Sequence, residues 1–205
     1  MRGPVTIAVT GPFASGKSTL VHLLGELPGS ETASADEIVH HLLKNDPRTI
    51  SRIVEHFGEN VLGPDGIDRK ALGREVFGDA EALRDLEEIL HPLVRTETDR
   101  RIEASGAETF VVEIPLLFET GRGEDFDYTV AVTVPEERRR TWAEERGVDE
   151  AALRAIEARQ FTGEEKARRA DVVVQNDADL DKLKEQAERL RRMISQERGS
   201  HGDHR

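Results

Sequence analysis

The chain has no cysteine. This excludes a disulfide framework, a thiolate metal cage and a cysteine nucleophile, and leaves only oxygen and histidine to hold a metal. Long apolar runs are missing too, since no stretch approaches the roughly 20 apolar residues that a membrane helix needs. Arg2 leads into a strand-like segment with no apolar region or cleavage site before it, so the expectation is a cytoplasmic protein without a membrane partner. Positive charge is in deficit: 29 Lys and Arg against 41 Asp and Glu give a formal net charge of −12. Such a chain repels a phosphate backbone and has no basic stripe to offset the repulsion, which argues against nucleic acid as a partner. A length of 205 residues suits one compact α/β unit with insertions, monomeric or weakly homo-oligomeric.

What is present alternates between strand and helix patterns. Val5, Ile7, Ala8 and Val9 form a short apolar run between Gly3-Pro4 and Gly11-Pro12, as expected of a strand buried on both faces. Leu20, Leu23, Leu24 and Leu27 then recur at helical spacing until Pro28-Gly29. Further strands are predicted over Phe110–Ile114, Tyr128–Val134 and Val172–Val174, and a weaker one near Thr32–Ser34. This order predicts a three-layer α/β/α fold around a parallel sheet of about five strands. Residues 1–35, 106–137 and 170–198 make up the predicted core. Residues 36–105 carry several helical patterns and no convincing strand, so they read as a helical insertion. The charged helical stretch 138–169 reads as a mobile lid, and 199–205 as a frayed tail.

The strongest signal is Gly11-Pro12-Phe13-Ala14-Ser15-Gly16-Lys17-Ser18, which satisfies the phosphate-binding pattern G-x-x-x-x-G-K-[ST] between a buried strand and an amphipathic helix. Its chemistry is specific. Glycines let backbone amides turn onto phosphates, the following helix adds its positive end, Lys17 bridges the terminal phosphates, and the Ser18 hydroxyl ligates Mg²⁺. ATP with Mg²⁺ is therefore the expected ligand. Pro12 lacks an amide, so phosphate contact falls to Phe13, Ala14, Ser15, Gly16, Lys17, Ser18 and Thr19. Phosphoryl transfer next needs a carboxylate near the acceptor hydroxyl. Asp36, just beyond the weak second strand, fits that role and equally fits an N-cap of the helix beginning Glu37-Ile38-Val39.

The P-loop, Ser34-Ala35-Asp36, Phe57-Gly58, Asp65-Gly66-Ile67-Asp68-Arg69, Val76-Phe77, His91-Pro92-Leu93-Val94 and Glu113-Ile114-Pro115-Leu116-Leu117-Phe118-Glu119 resemble, in order and spacing, the motifs of dephospho-CoA kinases. Gln160, Lys166, Ala170-Asp171 and Asn176 are similar to that family's closing motifs. The resemblance implies that Asp36 is the catalytic base toward a ribose 3′-hydroxyl and that Asn176 belongs to the nucleotide site. It implies acceptor contacts at His91, or instead a helix end anchored where Pro92 interrupts it; Arg95, one turn on, either meets the acceptor's pyrophosphate or lies on a solvated face. Leu116, Leu117 and Phe118 either cradle the acceptor or pack beneath it, with Glu119 polar at the rim, while Glu113 holds Mg²⁺ through water. Lid arginines, Arg140 and Arg146 first, would neutralise the transferred phosphoryl group, or else lie in a solvated, salt-bridged helix. Ser34 and His40 depart from the family's usual Asp and Arg. The implied reaction is transfer of the ATP γ-phosphoryl group to dephospho-CoA. Kinases of another small acceptor, such as a nucleoside or nucleotide, and an ATP-binding switch are the alternatives.

Overall fold

The computed structural model describes residues 3–200. Seven strands and nine helices lie among the described residues. In chain order they are β1 (Val5–Thr10), α1 (Lys17–Gly25), β2 (Ser30–Ser34), α2 (Ala35–Asn45), α3 (Pro47–Phe57), β3 (Leu62–Gly63), β4 (Gly66–Ile67), α4 (Arg69–Val76), α5 (Ala80–Ala104), β5 (Thr109–Glu113), β6 (Tyr128–Thr133), α6 (Glu136–Glu145), α7 (Glu150–Glu157), α8 (Gly163–Arg169), β7 (Val172–Gln175) and α9 (Leu180–Ser200).

The main sheet has five strands in the order β2-β5-β1-β6-β7, with β1 in the middle. β5, β1, β6 and β7 run parallel, and the register sets Val9 beside Glu113 and Thr10 beside Ala131. Parallel neighbours require crossovers, and the connections supply them as helices on the sheet faces. On one face Ile7, Val9, Val111, Val130 and Val132 pack with Leu20 and Leu24 of α1 and with Leu183, Ala187, Leu190 and Ile194 of α9. On the other, α8 packs against β6. Because β1 has neighbours on both edges and helices over it, its residues Ile7 to Thr10 are all buried, which is why Ile7, Ala8 and Val9 read as a continuous apolar run.

The chain divides into two compact units, residues 33–104 and the remainder. The 33–104 unit has its own core, in which Leu43, Ile53, Val61, Ile67, Leu72, Ile89 and Leu90 interlock. Side chains at Asp46 and Asp68 cap α3 and α4, accepting from Thr49 N and from the amides of Lys70 and Ala71.

Four expectations are corrected here. The 33–104 unit does contain strand, an antiparallel hairpin of β3 and β4 joined at Pro64-Asp65, with Leu62 opposite Ile67. Two residues a side are too few to show alternation in a sequence. Pro92 does not interrupt its helix, because α5 runs through it from Ala80 to Ala104. Proline removes one amide, but Ile89, Leu90 and Val94 are buried on either side of it and hold both halves in line. Asp36 is not an N-cap: α2 begins at Ala35 with Ser34 as the cap, so Asp36 lies inside the first turn. Gly199 and Ser200 continue α9 rather than forming a tail, and the rest of the expected tail, 201–205, lies outside the described residues.

Candidate functional site

The loop from β1 to α1 leaves the middle of the sheet and is shaped by its glycines. Gly11 has φ 153°, and a Cβ there would stand 2.5 Å from the backbone carbonyl of Val132. Gly16 has φ 89°, and a Cβ there would collide with the Asn176 amide. Both positions therefore exclude a side chain for reasons of space as well as dihedral angle. Ala14, with φ 59°, is the one residue other than glycine at positive φ among the described residues. Ser15 N donates to Pro12 O at 3.3 Å, which closes the turn.

α1 starts at Lys17 with no side-chain cap and no acid in its first turn. Its first amides and positive end are thus left to an anion. Lys17 is only 7% exposed, and its Nζ donates to Pro12 O at 3.0 Å, curled over the loop that would receive phosphates. Ser18 Oγ donates to Glu113 Oε1 at 3.0 Å. Glu113 lies beside Val9 in the ladder, and Ser18 reaches it from the first turn of α1, beyond the loop that follows β1. Two hard oxygen groups at one point suit Mg²⁺, which is commonly held by one or two protein oxygens plus phosphates and water. Among the described residues no cluster of three or more His, Asp or Glu forms a protein-only cage.

Asn176 follows β7 and is buried. Its Nδ2 donates to Ser15 O at 3.0 Å and so tethers the phosphate loop to the end of the sheet. Beside this tether is a cavity of about 260 Å³ lined by Gly16, Thr19, Trp142, Arg146, Asn176 and Leu180, among others. Arg146 lies over the Phe13 ring at 5.9 Å and Arg138 over Trp142 at 5.7 Å. Arg146 and Trp142 line a space that the start of α1 also bounds, a combination of cation, aromatic face and helix end that suits a nucleobase and ribose.

Residues 138–169 form α6, α7 and α8. Trp142, Ala143, Val148 and Leu153 pack with Phe13 and Ala14, so this segment is seated on the tip of the loop. Its arginines differ. Arg140, half exposed, pairs with Glu136 and Glu150, both at 2.9 Å. Arg139 is buried and pairs with Glu136 and Glu157. Arg146 alone of the two named lid candidates faces the phosphate loop. A second cavity of about 760 Å³ is lined by Pro12, Val134, Glu136, Arg139, Glu157 and Gln160, among others. Its three acids, Glu136, Glu157 and Glu164, beside one arginine do not favour phosphate.

The segment after β5 departs from expectation. Leu117 is fully buried, the burial expected of a packing residue, whereas Leu116 and Phe118 are half-buried. Phe118 faces Gly123, where an added Cβ would stand 3.2 Å from its ring. Glu119 is not at a rim. It is 13% exposed and pairs at 2.7 Å with Lys166, whose side chain is fully buried. Burial pushes the Lys166 ammonium below lysine's usual value, while the Glu119 carboxylate pulls it back up. The resemblance singles out Lys166 but not its burial: one lysine in a charged helix looks solvated, and only its position facing β6 makes it internal. Trp142 and the bond from Phe13 N to Gln160 Oε1, 3.1 Å, were likewise not anticipated as parts of the site.

The remaining candidates belong to the 33–104 unit. Asp36 is exposed in the first turn of α2, and His91 and Arg95 are exposed one turn apart on α5. His40 Nδ1 and Arg69 Nη1 stand 3.4 Å apart.

Comparison with known proteins assigns this arrangement. A family model described as dephospho-CoA kinase matches residues 5–182. The dephospho-CoA kinase of Symbiobacterium thermophilum is 41% identical over 187 residues, spanning 89% of this chain and 78% of that protein. Among solved structures, TT1252 from Thermus thermophilus superposes with a TM-score of 0.79 at 33% identity, covering 96% of this chain and 98% of that one. The dephospho-CoA kinase from Campylobacter jejuni superposes with a TM-score of 0.69 at 29% identity over 94% of this chain and 98% of that one. A parallel sheet with a phosphate loop after its middle strand, matched over nearly its whole length in this way, belongs to the dephospho-CoA kinase family.

Proposed function

We propose that the chain transfers the γ-phosphoryl group of ATP in line to the ribose 3′-hydroxyl of dephospho-CoA, giving CoA and ADP. The observation that carries this reading is the convergence of Lys17, the uncapped start of α1 and the Ser18–Glu113 pair at one loop, in a chain of this family. No covalent enzyme intermediate is needed, because the protein's work is positioning and charge neutralisation.

Backbone amides from Phe13 to Thr19 hold the phosphates, with Gly11 and Gly16 giving the close approach. Lys17 exchanges its contact with Pro12 O for the terminal phosphates. Ser18 holds the Mg²⁺ that accompanies ATP, and Glu113 supports it directly or through water; that ion neutralises charge on the β- and γ-phosphates. The base and ribose enter the cavity of Trp142, Arg146 and Asn176. Asp36 orients and deprotonates the acceptor hydroxyl, His91 and Arg95 bind the acceptor's phosphates or ribose, and Leu116 and Phe118 supply apolar contact. Residues 138–169 act as a lid, in which Arg140 joins the reacting phosphates once it leaves Glu136 and Glu150. The 33–104 unit serves as the acceptor-binding insertion. A net charge of −12 and small-molecule substrates fit a monomer or weak homo-oligomer with no nucleic acid partner. No helix among the described residues is long and apolar enough to cross a membrane, and the cytoplasm is the proposed location.

The test is ADP release from Mg²⁺-ATP with and without dephospho-CoA, with mass detection of the product. CoA appearing only when both substrates are present supports the reading. ADP release unaffected by dephospho-CoA would overturn the acceptor assignment.

A further inference from the structure

Lys166 is the largest fully buried side chain in the molecule's described residues, and the phosphoryl-transfer scheme above gives it no task. Its Nζ donates to Pro115 O at 2.6 Å and to Thr10 Oγ1 at 3.3 Å, and pairs with Glu119 at 2.7 Å. Thr10 Oγ1 in turn donates to Pro115 O at 3.2 Å. Thr10 is the last residue of β1, directly before Gly11, and Pro115 lies two residues beyond Glu113. The ammonium therefore ties together the ends of the two strands that carry the phosphate loop and its carboxylate.

The same pair reaches the tip of the loop by a second route. Glu119 Oε1 accepts from Phe161 N at 2.7 Å, and the neighbouring Gln160 accepts from Phe13 N through its Oε1. Thr162 begins α8 with a reciprocal capping box to Glu165, which sets Lys166 one turn into the helix. Gly163 packs against the Pro12 ring, where an added Cβ would stand 3.6 Å from Cγ. Three consecutive contacts thus run from residues 160–163 to Pro12, Phe13 and Glu119.

Stability does not account for this pair. A buried ion pair is often no better than an apolar replacement, and Glu119 Oε2 is buried with no hydrogen-bond partner among the described residues, which adds cost. We propose that Lys166, with Glu119, is a positioning residue for nucleotide: it fixes the strand ends beneath Gly11 and Glu113 and holds Gln160 against the Phe13 amide, keeping the phosphate loop in its binding shape. This inference rests on the nucleotide-binding reading of the loop.

The experiment uses the full chain and Mg²⁺-ADP, read by the fluorescence of Trp142, the one tryptophan in the sequence, which lines the base cavity. Binding by the parent protein tests the underlying reading. Lys166→Met strands the Glu119 charge and is expected to lower both melting temperature and ADP affinity. The double variant Lys166→Met with Glu119→Gln removes the stranded charge and is expected to recover melting temperature. Its ADP affinity should nevertheless stay about tenfold weaker, with KM for ATP raised and KM for dephospho-CoA unchanged. Parent-like ADP affinity in the double variant, or affinity that merely follows melting temperature across the set, overturns the proposal while leaving the loop's assignment intact. No ADP binding by the parent overturns both.

Discussion

Replacing Gly11 by alanine tests whether the phosphate loop is built by exclusion of a side chain. The added methyl carbon would stand 2.5 Å from Val132 O, and that carbonyl belongs to a fully buried residue of β6, held in a parallel ladder between β1 and β7. Backbone in such a setting yields far less readily than the end of a flexible side chain. Overpacking of this kind costs about 1–3 kcal/mol, and an alanine at an unfavourable positive φ adds roughly 1–2 kcal/mol. The sum is about 2–5 kcal/mol, which at about 2–4 °C per kcal/mol for a chain of this size lowers the melting temperature by roughly 4–20 °C. Gly106→Ala is the control, since nothing lies within 4 Å of its added carbon and its φ is ordinary; it should be neutral or slightly stabilising. The assay is a thermal melt followed by circular dichroism, with Mg²⁺-ADP titration at a temperature where both variants are folded. Gly11→Ala melting within about 2 °C of Gly106→Ala and binding ADP normally would refute the steric argument.

Asp36→Asn should cut turnover by about 10²–10⁴-fold while leaving ADP binding intact; near-parental turnover would remove Asp36 from catalysis. Lys17→Ala should fold and lose nucleotide affinity or turnover, checked by the same Trp142 titration. Ser18→Ala should raise the Mg²⁺ concentration needed for half-maximal activity, and an unchanged Mg²⁺ dependence would argue against its role as ligand. Glu97 is held at about 2 by Arg100 first, through paired hydrogen bonds, and then by Arg101. A carboxylate lowered on folding stabilises above its unfolded value, and the benefit is lost as pH falls through the folded one. Arg100 is 65% exposed, so solvent screening limits the gain to about 1 kcal/mol. Urea unfolding of Glu97→Gln should therefore show a deficit of that size from pH 7 to 5 that shrinks steadily toward pH 3; a deficit independent of pH would contradict the charge argument.

The parts of the fold that could be read from the sequence are those whose cause is local. Val5 to Val9 announce a strand because both faces are covered, and Gly11 to Ser18 announce a phosphate loop because few other uses need two glycines and a lysine at that spacing. β2 was visible only faintly, since Ser30–Ser34 is largely polar. The β3–β4 hairpin was invisible because four residues carry no period. Continuity of α5 through Pro92 depends on burial of Ile89, Leu90 and Val94, which no local rule contains. Glu119 was read as a rim residue because its partner is 47 positions away, and only the fold brings Lys166 to it. The lid arginines show the same limit. Arg138, Arg139, Arg140 and Arg146 are alike as letters, and differ only in which glutamate, ring or carbonyl each one meets.

The placement of Ser18 and Glu113 carries a consequence for how such a protein can change. Glu113 ends β5 in fixed register beside Val9 of β1, and Ser18 is delivered to it by the loop and first turn of α1 that follow β1, so a hydroxyl and a carboxylate far apart in sequence meet at 3.0 Å. The 33–104 unit joins the rest of the chain covalently at just two points, before Ala33 and after Ala104. Ser18 and Glu113 both lie outside that unit, so the contact between them uses none of its residues. On the proposed reading, recognition of the molecule to be phosphorylated can drift on one stretch of chain provided that Asp36 is kept, while the hydroxyl and carboxylate proposed to meet the metal ion stay on the other.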